Sequence, residues 1–183
     1  SILPEDRLNM EAHTLALPFV LKRSEDIVGA SKVTSTREVI HGLLRIDATH
    51  LVVQWRVSRK TEHVGAVIRT DRELEPVREV AIPLEALAGA TVRERRIAWL
   101  RLRPTFVLTA SDLRAFEEVA GEAGLQLDHP ATLMLPVPRS DRLTALEFAA
   151  DLNMIIADRA ARISKAIPSA EQKRLSAEAS SRE

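Results

Sequence analysis

The stretch His50-Leu51-Val52-Val53-Gln54-Trp55-Arg56-Val57 decides how the chain is read. Leu51, Val53, Trp55 and Val57 share one face of an extended chain. His50, Gln54 and Arg56 take the other, with Val52 the exception. A period of two with one apolar face marks a half-buried strand. Upstream, Val39 to Ile46 is equally rich in branched apolar residues, and Asp47-Ala48-Thr49 is short enough to turn a hairpin between the two.

Working outward, Ser58 to Pro76 is a charged excursion in which Val64-Gly65-Ala66-Val67-Ile68 extends the hairpin. Val77 to Ile82 is the next strand, stopped by Pro83, which has no N–H to give a ladder. Leu84 to Leu87 turns. Thr91-Val92, Ala98 to Arg103 and Phe106 to Thr109 are further strand pieces. Residues 111–124 are a loop with one helical turn, and Leu125 to Leu127 pairs with Thr132 to Val137 around His129-Pro130. About seven strands precede any long helix. That helix starts with Ser140 as N-cap and Asp141 in its first turn, and Pro168 stops it. Its expected core stripe is Leu143, Leu146, Ala150, Ala157 and Ile163, widened by Phe148, Leu152, Ile155 and Ile156. Residues 1–36 are an N-terminal arm whose apolar cluster, Leu15 to Leu21, packs on the domain or on a partner. Residues 37–163 form the domain and 164–183 a polar tail. The expected class is α+β, mainly β: a bent antiparallel sheet or partly open barrel capped by the long C-terminal helix.

The 183 residues carry 26 Lys+Arg and 26 Asp+Glu, so a globally basic nucleic-acid binder is excluded. No apolar run reaches the roughly 20 residues of a membrane span. The opening residues lack a secretory pattern, and Cys is absent, so disulfides and thiolate chemistry are excluded. The expected setting is cytoplasmic, with peripheral attachment to the cytoplasmic membrane face as an option.

Six glycines form no phosphate-binding or nucleophile-elbow motif. The five histidines lack metal-ligand spacing. Asp71, Glu73 and Glu75 alternate on one strand face without the pattern of a calcium loop. No metal, cofactor or catalytic residue is therefore expected, and few exposed aromatics disfavour single-stranded nucleic acid.

Gly42-Leu43-Leu44-Arg45-Ile46 followed by Leu51-Val52-Val53, then Val80 to Leu87, then Leu133 to Val137 running into Asp141 to Ala145, resemble the pleckstrin-homology-like fold and its bacterial GRAM-type relatives. The resemblance spans roughly residues 38–163 and rests on pattern alone. It departs where the fold usually places a helical Trp, since Phe148 is the only helical aromatic here. Lipid-binding members of the family surround their first hairpin with basic residues. Here that turn reads Ile46 to His50, with Asp47 and no Lys, which argues against specific inositol-phosphate recognition. The chain is also similar to an accessory subunit of a bacterial photosynthetic reaction-centre complex.

Charge is segregated along the chain. Arg93, Arg95, Arg96, Arg101 and Arg103 are opposed only by Glu94, whereas Asp112, Glu117, Glu118, Glu122 and Asp128 are opposed only by Arg114. On an extended strand Trp99, Arg101 and Arg103 share a face. Trp and Arg are frequent interface anchors. The expected function is a non-catalytic protein-interaction or scaffold module, a peripheral subunit of a larger assembly or a homo-oligomer. Its contact residues are Trp99, Arg101, Arg103, Arg93, Arg95, Arg96, Leu17 and Phe19. The alternatives are a ligand-binding barrel or enzyme, and a binder of anionic lipid.

Overall fold

A computed structural model describes residues 15–166, apart from 31, 66, 98, 122–124, 126 and 128. Antiparallel strands dominate, followed by one long helix, which is the α+β, mainly β class expected. The first sheet contains β1 (Ala16–Val28), β2 (Val33–Ile46), β3 (His50–Val64), β4 (Ile68–Leu74) and β5 (Arg78–Pro83). Its order is β1-β2-β3, with both β4 and β5 paired to β3. They share that partner lengthwise: β5 takes His50 to Trp55 and β4 takes Ser58 to Val64. The sheet is thus four strands wide along its whole length.

After a 3-10 turn at Leu84–Ala86, a second sheet forms in the order β10 (Thr132–Pro136), β9 (Thr105–Ala110), β6 (Leu87–Arg93). The short strands β7 (Arg96–Ile97) and β8 (Leu100–Arg101) make a hairpin of their own between β6 and β9. A short helix, α1 (Glu117–Gly121), precedes β10, and α2 (Arg142–Ala166) ends the described chain.

The alternation that announced β3 is what builds the core. Leu17, Leu44 and Val53 lie in one cross-strand row and Phe19, Gly42 and Trp55 in the next, all on the inner face. Phe106, Leu108, Leu133 and Leu135 answer them from the second sheet, and Phe116, Val119 and Leu125 fill the end. Phe106 meets Phe148 of α2 edge to face, 5.6 Å between centroids. No polar or charged residue is buried among the described residues.

The two sheets do not close into a barrel. β6 leaves one edge unpaired, and α2 covers it: the Asn153 side chain donates to Ala90 C=O and accepts from Ala90 N–H, both at 2.8 Å. One amide thereby does what a neighbouring strand would do.

Several expectations change. The arm of residues 1–36 is, from Ala16 on, the edge strand β1, and the boundary expected at 36/37 falls inside β2. Residues 1–14 and the tail from 167 lie outside the described residues. The excursion after Val57 is the second half of a 15-residue strand and its hairpin partner. It showed no apolar period because both its faces are wet. Leu125 and Leu127 lie in no strand, Gln126 is outside the described residues, and β10 pairs with β9. Ser140 does not cap α2 but donates its hydroxyl to Asp141, and the helix begins after a 3-10 turn at Arg139–Asp141.

The helix stripe is also corrected. Leu143, Leu146 and Ile163 are 65%, 40% and 51% exposed, and Ala150 and Ala157 face water. The buried line is Ala145, Phe148, Ala149 and Leu152. The helix is apolar on two sides, so its sequence alone does not choose between them.

Candidate functional site: a basic groove beside an exposed tryptophan

The β7–β8 hairpin pairs Arg96 with Arg101 and Ile97 with Leu100, and Leu102 N–H reaches Arg95 C=O at 2.9 Å. Trp99 sits in its turn. It is 91% exposed, the most exposed large apolar residue among those described. Trp99 therefore does not share a strand face with Arg101 and Arg103, as an extended reading had them; the chain reverses between them. Arg93, Arg95 and Arg103 are exposed. Arg96 and Arg101 are cross-strand neighbours whose side chains lie outside the described part. Glu94, the one acid in this stretch, is engaged by Arg142 at the start of α2. That bond fastens the base of the hairpin to the start of α2.

Arg103 leads from the hairpin into a groove of about 650 Å³. Val20 and Lys22 of β1, His41 of β2, and Pro138, Arg139 and Ser140 ahead of α2 line the rest. Pairing explains the convergence, since Val20 is the register partner of His41 and both project from the outer face of the first sheet. Lys22, Arg103 and Arg139 make no ion pair among the described residues. Three cations gathered from three segments repel one another, and an anion in the groove relieves that repulsion.

Several other cations are paired with carboxylates. On the inner face of the same sheet Arg59 bonds Glu38 at 2.8 Å and Glu73 at 3.0 Å, and Glu75 lies at 3.5 Å. The side-chain hydrogen bond that Arg59 donates to Glu38 is the main cause that raises the Arg59 pKa. This cluster also answers the carboxylate trio: Glu73 and Glu75 hold arginines, and Asp71 lies 3.3 Å from Arg69 and 3.7 Å from His63. No set of three metal-ligating side chains occurs among the described residues. A second groove of about 780 Å³ runs along α2 past Met154, Ile155 and Ile163. Its charges are matched, since Arg159 bonds Glu85 and the Ala48 carbonyl, and Arg162 bonds Asp158 at 2.8 Å.

Leu17 and Phe19, expected at a partner surface, are 0% and 1% exposed and belong to the core. Lys22, His41 and Arg139 went unread as site residues. Lys22 and His41 needed the β1–β2 pairing to be seen together. The first hairpin is likewise not the turn at Ile46 to His50 but the one between Val28 and Val33, with Lys32 beside it and Lys22, Arg23 and Arg37 along its strands. The turn at Ile46 to His50, which lacks Lys, belongs to the second hairpin, so its composition does not speak against inositol-phosphate recognition at the first.

No helix among the described residues is long and apolar enough to cross a membrane. Comparison with protein-family models, curated proteins and solved structures finds no match to this chain.

Proposed function

We propose that the protein is a non-catalytic interaction module that presents Trp99 and the basic groove to an acidic segment of a protein partner in a larger assembly. The observation that carries this reading is Trp99, almost fully in water on a hairpin that joins no other strand. A Trp held in water gains the most from being covered, and Trp and Arg anchors dominate binding energy at interfaces. Lys22, Arg103 and Arg139, which make no ion pair among the described residues, give the partner its sign, and groove and hairpin together give it an orientation. The apolar, filled core supports a scaffold over a ligand-carrying barrel. A five-stranded antiparallel sheet, a three-stranded sheet and a C-terminal helix support the pleckstrin-homology-like reading. The sequence resemblance makes a peripheral position on a membrane-bound complex, such as a photosynthetic reaction centre, the assembly to try first.

The two tryptophans supply the assay, because Trp55 is 1% exposed and reports the core while Trp99 reports the surface. Titrating the full chain with a 15-residue Glu/Asp-rich peptide is expected to blue-shift Trp99 emission, and Trp99→Phe to silence the change. Lys22→Glu/Arg103→Glu is expected to weaken binding at least about tenfold without altering the melting temperature. An unchanged affinity in that variant overturns the reading. Binding to phosphatidylserine vesicles but not to the peptide would favour the lipid alternative instead.

A further inference from the structure

β4 is a free edge of the first sheet: β3 lies on one side and, among the described residues, no strand on the other. Every residue from Ile68 to Leu74 is exposed, Ile68 and Leu74 by 71% and 61%. An open edge of this kind is a template for another strand.

Hydrogen-bond parity decides what fits it. Ser58 is paired with Leu74, so Val57 faces Glu75, and the Glu75 N–H donates to the Val57 carbonyl at 2.9 Å. Bonded and non-bonded pairs alternate along an antiparallel ladder. Arg69, Asp71 and Glu73 therefore turn their peptide groups toward β3, while Ile68, Thr70, Arg72 and Leu74 turn theirs to the open side. An incoming antiparallel strand must set outward-facing residues against outward-facing residues.

A second β4 does this when the register is centred on Asp71. All seven residues are then used, with Ile68 opposite Leu74, Arg69 opposite Glu73 and Thr70 opposite Arg72, each pair occurring twice. A one-residue slip sets bonded against non-bonded positions. Centring on Arg72 opposes Arg72 to itself and Asp71 to Glu73. Centring on Thr70 leaves Glu73 and Leu74 without partners. In the favoured register only Asp71 meets its own copy, and Arg69 and His63 already lie beside it. The pairing also lengthens an apolar row: Val28, Val33, Val64 and Ile68 are register neighbours across four strands, and Leu74 of the second copy follows Ile68.

We propose that β4 is a homodimerisation strand, on which a second copy of this chain docks antiparallel about a two-fold axis at Asp71. The charges that keep foreign strands off this edge match themselves in one register, which makes the contact closed and specific. About eight main-chain hydrogen bonds form, a small interface whose dissociation constant falls in the micromolar range. This surface is separate from the groove and does not depend on the function proposed for it.

Sedimentation velocity of the full chain from about 1 to 200 μM tests the proposal, and the expected result is a reversible dimer. Thr70→Pro removes an outward N–H without touching the bonds to β3 and is expected to leave a folded monomer. Arg69→Glu and Glu73→Arg each oppose like charges twice and should raise the dissociation constant at least about tenfold. Combining the two exchanges the charges and should recover most of that loss. Circular dichroism establishes that each variant is folded. A wild-type monomer at 200 μM, a dimer indifferent to Thr70→Pro, open-ended polymers, or no recovery in the double variant would each overturn the proposal.

Discussion

Gly42 stands between Phe19 and Trp55 in one cross-strand row on the inner face. A Cβ built on Gly42 overlaps ring atoms of Phe19. Glycine weakens a strand, but here the Phe19 ring covers the bare backbone, and the ring itself is 1% exposed and has nowhere to move. Gly42→Ala is therefore expected to destabilise the fold by about 1–3 kcal/mol through overpacking, although alanine is the better strand residue. Urea unfolding measures it, and an unchanged midpoint contradicts the packing described. The sequence showed Gly42 only as one residue of a strand. Its role depends on what β1 and β3 set on either side, and period-two patterning carries no information about that. Trp55 was legible as core from alternation, but not that its indole N–H would be buried without a partner.

The clearest element-scale lesson lies in α2. Its existence after Arg139 was legible from the lack of Gly or Pro there, whereas its buried side was not. Leu152 at 0% exposure and Leu143 at 65% are the same residue type on opposite faces. Leu152→Ala is expected to cost about 2–4 kcal/mol, while Leu143→Ser should stay within about 0.5 kcal/mol. Equal losses in chemical denaturation would restore the stripe expected from sequence. Hairpins divide in the same way. The β2–β3 turn at Asp47 to Thr49 was legible because apolar alternation flanks it on both sides. The β1–β2 turn was not, because the distal halves of β1, β3 and β4 are solvated on both faces and show no period. The Arg/Trp segment was legible as a basic stretch from composition. Its fold back into a two-residue hairpin, with Trp99 at the turn, is a matter of pairing.

At the scale of the molecule, surface carboxylates set the response to acid. The Glu62 carboxyl is held below its usual value first by its hydrogen bond from Lys60. That of Glu85 is lowered first by a backbone N–H of its own residue and then, against some desolvation, by Arg159. A lowered pKa in the folded state contributes stability above the unfolded value and loses it as pH falls through the folded one. Replacing both with Gln is thus expected to lower the melting temperature near pH 7, with the deficit shrinking toward zero as the pH drops below about 4.5. Melting curves from pH 7 to 3 decide it, and a deficit that does not vary with pH would rule out these two groups. Arg59, whose pKa is raised, stays charged throughout and adds no acid dependence.

The equal totals of 26 positive and 26 negative residues determined only that no bulk field drives binding. Alternation and the placing of Gly and Pro determined the mainly β class, the terminal helix and the β2–β3 hairpin, because each depends on neighbours along the chain. Tertiary pairing decided which charges are neutralised. It set Arg59 among three glutamates on the inner face, and gathered Lys22, Arg103 and Arg139 at the groove with no ion pair among the described residues. Residues about 80 positions apart become neighbours only through the register of strands. Local sequence does not encode that register wherever both faces of a strand meet water.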